Sequence, residues 1–262
     1  MTRVRLEIDG AIASIVLDKP AKLNAIDYDM AEAIARFADQ LRTERDVRAV
    51  VLRGEGRAFC AGADFDMPAE RVTGRSPAEK VRNYYERFRL VHERYQVLTH
   101  LPQPIIAALH GHCIGAGIEL ALMADIRVAA DDTHFSLPEV ILGIAPDIGG
   151  DLRLAREVGA GWAKRLLLTG EDFDAELATR IGLVQDVVPA DQLHGRVLAI
   201  AQRIAANAPL AVQAAKRQVN FVAEMGLAEA LRFEAASAAI CFVSEDQAHG
   251  FSRSSQRQHS GY

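Results

Sequence analysis

The stretch that decides the fold reads PIIAALHGHCIGAGIEL over residues 104–120. Its first half is a short apolar run after a proline, which is typical of a buried strand. Three glycines follow within seven residues, and the sequence then continues as a helix through Leu120 and Met123. A glycine turn that runs straight into a helix leaves free backbone N–H groups at the helix N-terminus, and these groups favour a developing negative charge.

Strands and helices alternate on both sides of this stretch. The predicted segments are a hairpin over 4–17 that turns at Asp9-Gly10, strands over 47–52, 105–109 and 126–130, and helices over 27–45 and 77–100. The Asp-Gly turn is expected to need positive φ at both of its central residues. We expect the apolar stripe of the 77–100 helix, which runs from Val81 to Leu98, to form one face.

The sequence changes character after Gly149 and becomes mostly helical. One more strand is predicted over 183–188, and the tail reads as helices broken at Pro209 and near Gly226. We therefore predict an α/β fold with two parts, a core over residues 1–190 and a C-terminal α-helical region over residues 191–262.

Composition excludes several classes of protein. The chain has 262 residues and a net charge of −5, which argues against a nucleic-acid partner because phosphate contacts need a basic surface. Three widely spaced cysteines and the absence of a CxxC motif indicate a reducing compartment. No signal peptide and no apolar run long enough for a bilayer are found. We therefore expect a cytoplasmic protein with no membrane partner.

Two loops of small residues each follow a predicted strand. One is Phe59–Asp64, which reads FCAGAD, and the other is the glycine-rich turn after residue 109. N–H groups from two such loops can form an oxyanion hole, in which one donor lowers a barrier by roughly 3–4 kcal/mol. Taken singly, each loop fits a structural role as well, and the second lacks the third glycine of a dinucleotide-binding fingerprint.

Three acidic residues, Glu119, Glu139 and Asp147, stand among apolar neighbours, which predicts a buried setting for all three. Buried carboxylates raise one another's proton affinity, so one can stay protonated as a general acid beside a general base. The alternative is that each caps a helix or forms an ion pair.

Other sites built from the same residues are disfavoured. His110, His112 and Cys113 lack a fourth zinc ligand at suitable spacing. The apolar neighbours of the three acids disfavour magnesium. A glycosidase carboxylate pair needs sugar-stacking aromatics, and the chain has one tryptophan. We therefore expect no metal.

Taken together, these segments resemble the crotonase (enoyl-CoA hydratase/isomerase) superfamily. The matching stretches are residues 17–25, 57–64, 104–127, 135–139 and 168–170, in family order along nearly the whole chain. The resemblance implies a crotonase-like spiral of β-β-α units with a C-terminal helical trimerisation region, assembled as a homotrimer or a dimer of trimers. It also implies an acyl-CoA thioester as substrate and no separate cofactor, because coenzyme A is part of the substrate.

The resemblance also assigns site residues. The thioester oxygen is expected between the N–H groups of Ala63 and Ala116. The positions matched to the CoA- and substrate-binding loops are Lys22, Leu23, Asn24, Ala61, Asp64, Phe65 and Gly115. Among them, Asp64 matches the position beside the adenine end of the coenzyme. The segment from Asp66 to Tyr85 is expected to shape the acyl pocket.

The three acidic residues are compatible with two reactions of the superfamily. Hydratases of the superfamily carry two acids, which match Glu119 and Glu139 and orient one water for addition to the double bond. Dienoyl-CoA isomerases carry a third acid, which matches Asp147, and an aspartate at the first position. We expect an isomerase of fatty-acid β-oxidation that converts 3,5-dienoyl-CoA into 2,4-dienoyl-CoA, with Glu139 as the base at C2 and Glu119 as the acid toward C6.

A non-catalytic acyl-CoA- or RNA-binding homologue is the alternative from another class. The presence of both glutamates and the acidic net charge argue against it.

Overall fold

The computed structural model describes residues 3–64, 74–222 and 225–247. Within these ranges it contains nine strands and eight α-helices. The strands are β1 Val4–Asp9, β2 Ile12–Leu17, β3 Ala49–Gly54, β4 Ile105–Leu109, β5 His112–Ile114, β6 Ile126–Ala130, β7 His134–Ser136, β8 Phe173–Asp174 and β9 Asp186–Val188. The helices are α1 Tyr28–Leu41, α2 Pro77–Thr99, α3 Ala116–Ala121, α4 Gly150–Thr169, α5 Ala175–Arg180, α6 Leu193–Ala205, α7 Pro209–Val222 and α8 Leu227–Phe242.

The strands form two sheets, and the chain crosses repeatedly between them. The larger sheet has the order β1-β2-β3-β4-β6-β9, in which β1 and β2 are antiparallel and the later pairs are parallel. The smaller sheet has the order β5-β7-β8. The run β4, β5, α3, β6 shows one turn of the repeat: a strand in each sheet, then a helix, then a return to the larger sheet. This topology confirms the predicted α/β core.

The first hairpin forms as predicted, but its turn is one residue later than expected. Asp9 pairs with Ile12 as the last residue of β1, so the two turn residues are Gly10 and Ala11. Of these two, both of which are described, only Gly10 has positive φ, at +56°. The expectation of positive φ at both central residues was therefore wrong. A glycine at the first central position alone is typical of a type II′ turn, which also suits the strand twist.

Helix α1 begins at Tyr28 because Asp27 Oδ1 accepts a hydrogen bond from Met30 N at 2.9 Å. Helix α2 begins in the same way, after Ser76, and ends at Thr99. Only the C-terminal end of the predicted α2 stripe is buried, at Tyr95 and Leu98, whereas Val81 is exposed. Neither α2 nor another helix in the described ranges is long and apolar enough to cross a bilayer.

Several element boundaries differ from those expected. Strand β3 begins and ends two residues later than predicted, and β9 keeps only the last three residues of the expected 183–188 strand. Strands β5, β7 and β8 were not predicted, because two or three residues are too few to show an alternating pattern.

Helix α6 covers the outer face of the larger sheet. Its buried residues Leu193, Val197 and Ala201 pack with apolar residues of the sheet that include Val51 and Ile106. The opposite face, which includes Leu52, packs in the main apolar core, so the sheet is buried on both faces, as parallel sheets usually are. The division of the chain at residue 190 stays a prediction.

The side chain of Arg127 in β6 connects this strand to Leu183 and to α4. Its side chain is only 2% exposed. Its guanidinium donates to Leu183 O at 2.6 Å, to Ala124 O at 2.8 Å and to Glu157 Oε2 at 2.6 Å. Two buried carbonyl groups therefore depend on one side chain for a donor.

We expect Arg127→Met to lower the free energy of unfolding by about 3–5 kcal/mol, because it leaves two buried carbonyl oxygens without a donor. Urea unfolding at a fixed protein concentration measures the change. The matched control is Arg89→Met, which removes an exposed arginine paired with Glu86 and Glu93 and should cost less than about 1 kcal/mol. Equal losses in the two variants would contradict the role given to Arg127.

Candidate active site

The two loops of small residues lie side by side. Cys60 pairs with Cys113 in a parallel bridge, in which Cys60 N donates to His112 O and Ile114 N donates to Cys60 O, both at 3.0 Å. The bridge continues the smaller sheet to the first loop. It therefore brings residues 61–63 next to residues 114–116, as the oxyanion-hole prediction requires.

The N–H groups of Ala63 and Ala116 have no acceptor among the described residues. Ile26 N donates to Gly62 O at 2.7 Å and Asp64 N donates to Ile26 O at 2.8 Å, so the N–H of Ala63 points away from Ile26. Ala116 is the first residue of α3, where an N–H has no acceptor within the helix. Both groups are therefore available to a ligand oxygen.

Glu119 on α3 is buried, with 1% of its surface exposed. Its Oε1 accepts a hydrogen bond from Gly150 N at 2.8 Å. Burial raises the pKa of Glu119 to about 7, the bond from Gly150 partly opposes this shift, and the charges of Asp147 and Glu139 add to it. The carboxyl group is therefore close to half-protonated at neutral pH.

Glu139 lies in a short 3₁₀ helix, Pro138–Leu142, and is 8% exposed. Its Oε2 is buried and has no hydrogen-bond partner among the described residues. Burial raises the pKa of this carboxyl group, and the charge of Asp147 raises it further. Gly115 lies against it: a Cβ at Gly115 would be 2.7 Å from Glu139 Oε1. A side chain there would therefore displace the carboxylate.

Asp147 differs from the expectation that all three acids are buried, because it is exposed in the single protomer. Its apolar neighbours Ile144 and Ala145 are exposed as well, so their apolar character did not indicate burial. Desolvation by the surrounding protein raises the pKa of Asp147, and the charges of His92 and Arg87 partly offset this rise. Its charge reaches both glutamates, so the three acids form one electrostatic group.

Two residues near the acids were not among the predicted site residues. Arg153 donates to Ile148 O at 3.0 Å. Burial lowers the pKa of its guanidinium, and the charge of Glu119 partly opposes that shift. Tyr95 is 5% exposed, and burial raises the pKa of its hydroxyl group, with the charges of Cys60 and Glu119 adding to the shift. The helical stripe of α2 pointed to Tyr95 as a core residue, but it did not reveal the nearby acids.

The predicted CoA loop is held to the first small-residue loop. Ala61 N donates to Leu23 O at 2.9 Å. Asn24 is fully buried, and its Nδ2 donates to Ala58 O at 2.7 Å. Lys22 Nζ contacts both carboxylate oxygens of Asp64, at 2.9 and 3.0 Å. The side chain of Asn24 therefore supports the loop, and the roles of these residues toward coenzyme A stay predictions. Phe65 lies outside the described residues, as does the 66–73 part of the segment expected to shape the acyl pocket.

The histidines beside the glycine turn make contacts that do not involve a shared metal site. His110 Nε2 donates to Gly56 O at 3.0 Å, and the ring of exposed His112 lies 6.0 Å from that of His134. Within the described ranges, no group of three His, Cys, Asp or Glu side chains is arranged to hold a metal ion.

Comparison with known proteins gives a consistent result. The family model described as enoyl-CoA hydratase/isomerase matches residues 7–259. The chain is 36% identical over 250 residues to a short-chain-enoyl-CoA hydratase of Clostridium acetobutylicum, covering 94% of this chain and 92% of that protein. It is 35% identical over 252 residues to a mitochondrial Δ(3,5)-Δ(2,4)-dienoyl-CoA isomerase of Dictyostelium discoideum, covering 93% and 85%.

A solved structure shows the same fold. It is that of a putative enoyl-CoA hydratase from Thermobifida fusca in complex with CoA, with a TM-score of 0.83 and 30% sequence identity over 92% of this chain and 93% of that one. This likeness confirms the predicted crotonase-like fold. Hydratases outnumber isomerases among the similar proteins.

Glu119 should make stability depend on pH. Its pKa is raised from 4.5 to about 7 on folding, so its favourable contribution is fully present below about pH 4.5 and is lost as the pH rises through 7. The side chain introduced by Glu119→Gln cannot ionise. Well above pH 7, the free energy of unfolding of this variant should therefore exceed that of the unsubstituted protein by roughly 3 kcal/mol. Urea unfolding across this range measures the difference. Glu176→Gln, on the exposed surface of α5, is the control, and parallel curves for all three proteins would contradict the assignment.

Gly150→Ala should disturb the same carboxylate by sterics alone. A Cβ at Gly150 would lie 2.2 Å from Glu119 Cγ, so the side chain must move. A displacement of about 1 Å should lower kcat on an unsaturated acyl-CoA about 100-fold. The matched control on the same helix is Gly161→Ala, where nothing lies within 4 Å of the new Cβ. Unchanged kcat in a folded Gly150→Ala protein would show that the position of Glu119 does not matter.

Proposed function

The chain belongs to the enoyl-CoA hydratase/isomerase family of acyl-CoA enzymes, and we propose that it isomerises 3,5-dienoyl-CoA to 2,4-dienoyl-CoA. The observation that carries this proposal is the third carboxylate. Burial is the main cause of the raised pKa of Glu119 and of Glu139, and the charge of Asp147 adds to both shifts. A group of three coupled acids suits a reaction that removes a proton at one end of a diene and delivers one at the other.

The reaction begins at the thioester. Its oxygen accepts hydrogen bonds from the N–H groups of Ala63 and Ala116, while Glu139 removes a proton from C2. The electron pair of the broken C–H bond moves toward the thioester oxygen and gives an extended enolate. The two donors stabilise that charge, which is where an oxyanion hole contributes most to the rate.

Glu119 completes the reaction by protonating C6, which leaves double bonds at C2 and C4. A carboxyl group with a pKa of about 7 holds a proton near neutral pH and still gives it up. Glu119 and Glu139 titrate as a coupled group, so protonation of one favours ionisation of the other. Oε2 of Glu139, which has no hydrogen-bond partner in the described part of the chain, is the oxygen available to the C2 proton.

Hydration of trans-2-enoyl-CoA is the second candidate. It is favoured by the preponderance of hydratases among the similar proteins and by a glutamate, rather than an aspartate, at position 119. In this reaction Glu119 and Glu139 orient one water between them, and Asp147 has a structural role.

Assembly is part of the proposal. In the single protomer α8 exposes large apolar side chains, and these include Leu227, Leu231, Ile240 and Phe242. Apolar surface of this kind usually marks an interface. We propose that copies of the chain cover it in a homotrimer or a dimer of trimers. The absence of a separate cofactor and the cytoplasmic location stay predictions.

Ultraviolet assays with a 3,5-dienoyl-CoA and a trans-2-enoyl-CoA distinguish the two reactions. Isomerisation of the diene raises the absorbance because the product is conjugated with the thioester. Asp147→Asn should lower that rate about tenfold or more, since it removes a charge that tunes the acid–base pair. The protein would be a hydratase instead if the absorbance fell with the enoyl thioester and did not rise with the diene.

Glu139→Gln tests whether Glu139 is the catalytic base, whichever of the two reactions the protein catalyses. It removes the base in either reaction and should lower either rate about 100-fold or more. A protein that retained its full activity after this substitution would not use Glu139 as its base.

A further inference from the structure

Lys19 is a buried cation beside the first oxyanion loop, and its side chain is only 8% exposed. Its Nζ donates to Asp27 Oδ2 at 2.7 Å, to Asp64 Oδ2 and to Ala25 O at 3.1 Å. An ammonium group has three donors, so all of them are used. A charge buried to this degree is costly unless it is paired, which fixes the ammonium group between the two carboxylates.

The two carboxylates belong to residues that follow the members of one β-bridge. Ile26 and Ala63 form that bridge, Asp27 follows Ile26, and Asp64 follows Ala63. Lys19 therefore joins the two strands immediately beyond the point where their backbones pair. Ala63 lies between two backbone bonds, from Ile26 N to Gly62 O and from Asp64 N to Ile26 O, and the ion pair adjoins the second of them. The direction of its N–H therefore depends on this pairing, which the ion pair supports.

Each carboxylate is also anchored independently of Lys19. Asp27 caps α1 through Met30 N, and it accepts a further bond from Arg3. Burial alone would raise the pKa of Asp27, but the hydrogen bonds from Lys19 and Met30 N lower it overall. Asp64 also contacts Lys22, whose side chain is 41% exposed. Of these two lysines, only Lys19 bonds both Asp27 and Asp64 in the described contacts.

The backbone of Lys19 makes hydrogen bonds that do not involve its side chain, so the role of the side chain can be tested by substitution. Lys19 N donates to Asn24 Oδ1 at 2.8 Å, and Asn24 N donates to Lys19 O at 3.0 Å. These bonds close the turn in which Leu23 and Asn24 have positive φ. A substitution at Lys19 leaves these backbone bonds available and removes the ammonium group.

We propose that Lys19 is a positioning residue for the oxyanion hole, acting through Asp27 and Asp64 to hold the N–H of Ala63 where the thioester oxygen binds. The inference rests on the proposed oxyanion role of Ala63. Lys19 itself does not touch the reacting atoms. Its removal should therefore weaken polarisation of the thioester more than it weakens binding of the coenzyme.

The test measures polarisation directly. Bound 2,4-hexadienoyl-CoA shifts its absorbance to longer wavelength when hydrogen bonds draw charge onto the thioester oxygen. The spectra are recorded in a Glu139→Gln background, so that turnover does not compete. We expect Lys19→Met to lose most of the shift. With Glu139 present, Lys19→Met should lower kcat about 30- to 100-fold and change KM by less than about threefold.

Two further variants serve as controls. Lys19→Arg keeps the charge and should retain much of the shift, whereas Lys164→Met removes an exposed lysine of α4 and should leave the shift and kcat unchanged. If Lys19→Met fails to fold, Asp64→Asn keeps the bond from Lys19 to Asp27, weakens the contacts of residue 64 with Lys19 and Lys22, and should also lose the shift.

The outcomes separate the two proposals. A protein with Lys19 intact that shows no shift has no oxyanion hole at Ala63, which overturns the proposed function. If the shift is present with Lys19 and is retained in Lys19→Met, the role of Lys19 alone is overturned. The same conclusion follows from a retained shift in Asp64→Asn, where that variant replaces Lys19→Met.

Discussion

The bridge between Cys60 and Cys113 is the constraint on which the rest of the site depends. It joins two loops that are more than fifty residues apart in sequence, and it sets the distance between the backbones that carry Ala63 and Ala116. Because both proposed donors are main-chain groups, no side-chain rotamer can compensate for an error in this pairing. In the proposed mechanism, the strands of the smaller sheet are therefore part of the catalytic apparatus as well as of the fold.

The acids depend on the same framework. Helix α3 starts at Ala116, and this places Glu119 one turn later, inside the protein and against the start of α4. Carboxyl groups in such a position lose the solvation that normally keeps them ionised. In the proposed mechanism, one short helix thus supplies a donor for the developing negative charge and an acid with a raised pKa. Its length of six residues is sufficient because both functions lie in its first turn.

The core of the fold could be predicted from the sequence because its signals are local. The apolar run of β4 stands between a proline and a glycine, and that of β6 stands between aspartates. The capping residues Asp27 and Ser76 stand where α1 and α2 begin. The three short strands could not be found in this way, since their pairing partners are distant in sequence. The turn at Gly10 was misplaced because the register of the hairpin, which depends on the packing of both strands, decides which residues form it.

The site was predicted less completely, for a related reason. Glu119 and Glu139 are buried as their apolar neighbours suggested, but Asp147 is not, because a run of apolar residues does not reveal which of them face the core. Lys19 was missed because a lysine is normally solvated, and its partners lie 8 and 45 positions away. Charge burial is a property of the assembled structure, and composition near a residue is a weak guide to it.

The contact between Glu119 and Gly150 has a consequence for evolution within the family. The longer acid fills the space in which a side chain at position 150 would stand. The nearest of its atoms, Cγ at 2.2 Å, is also present in aspartate, so shortening the acid would not vacate this volume. Lineages that carry either acid at position 119 should thus retain glycine at 150. The two positions are expected to be constrained together, as one steric unit under joint selection.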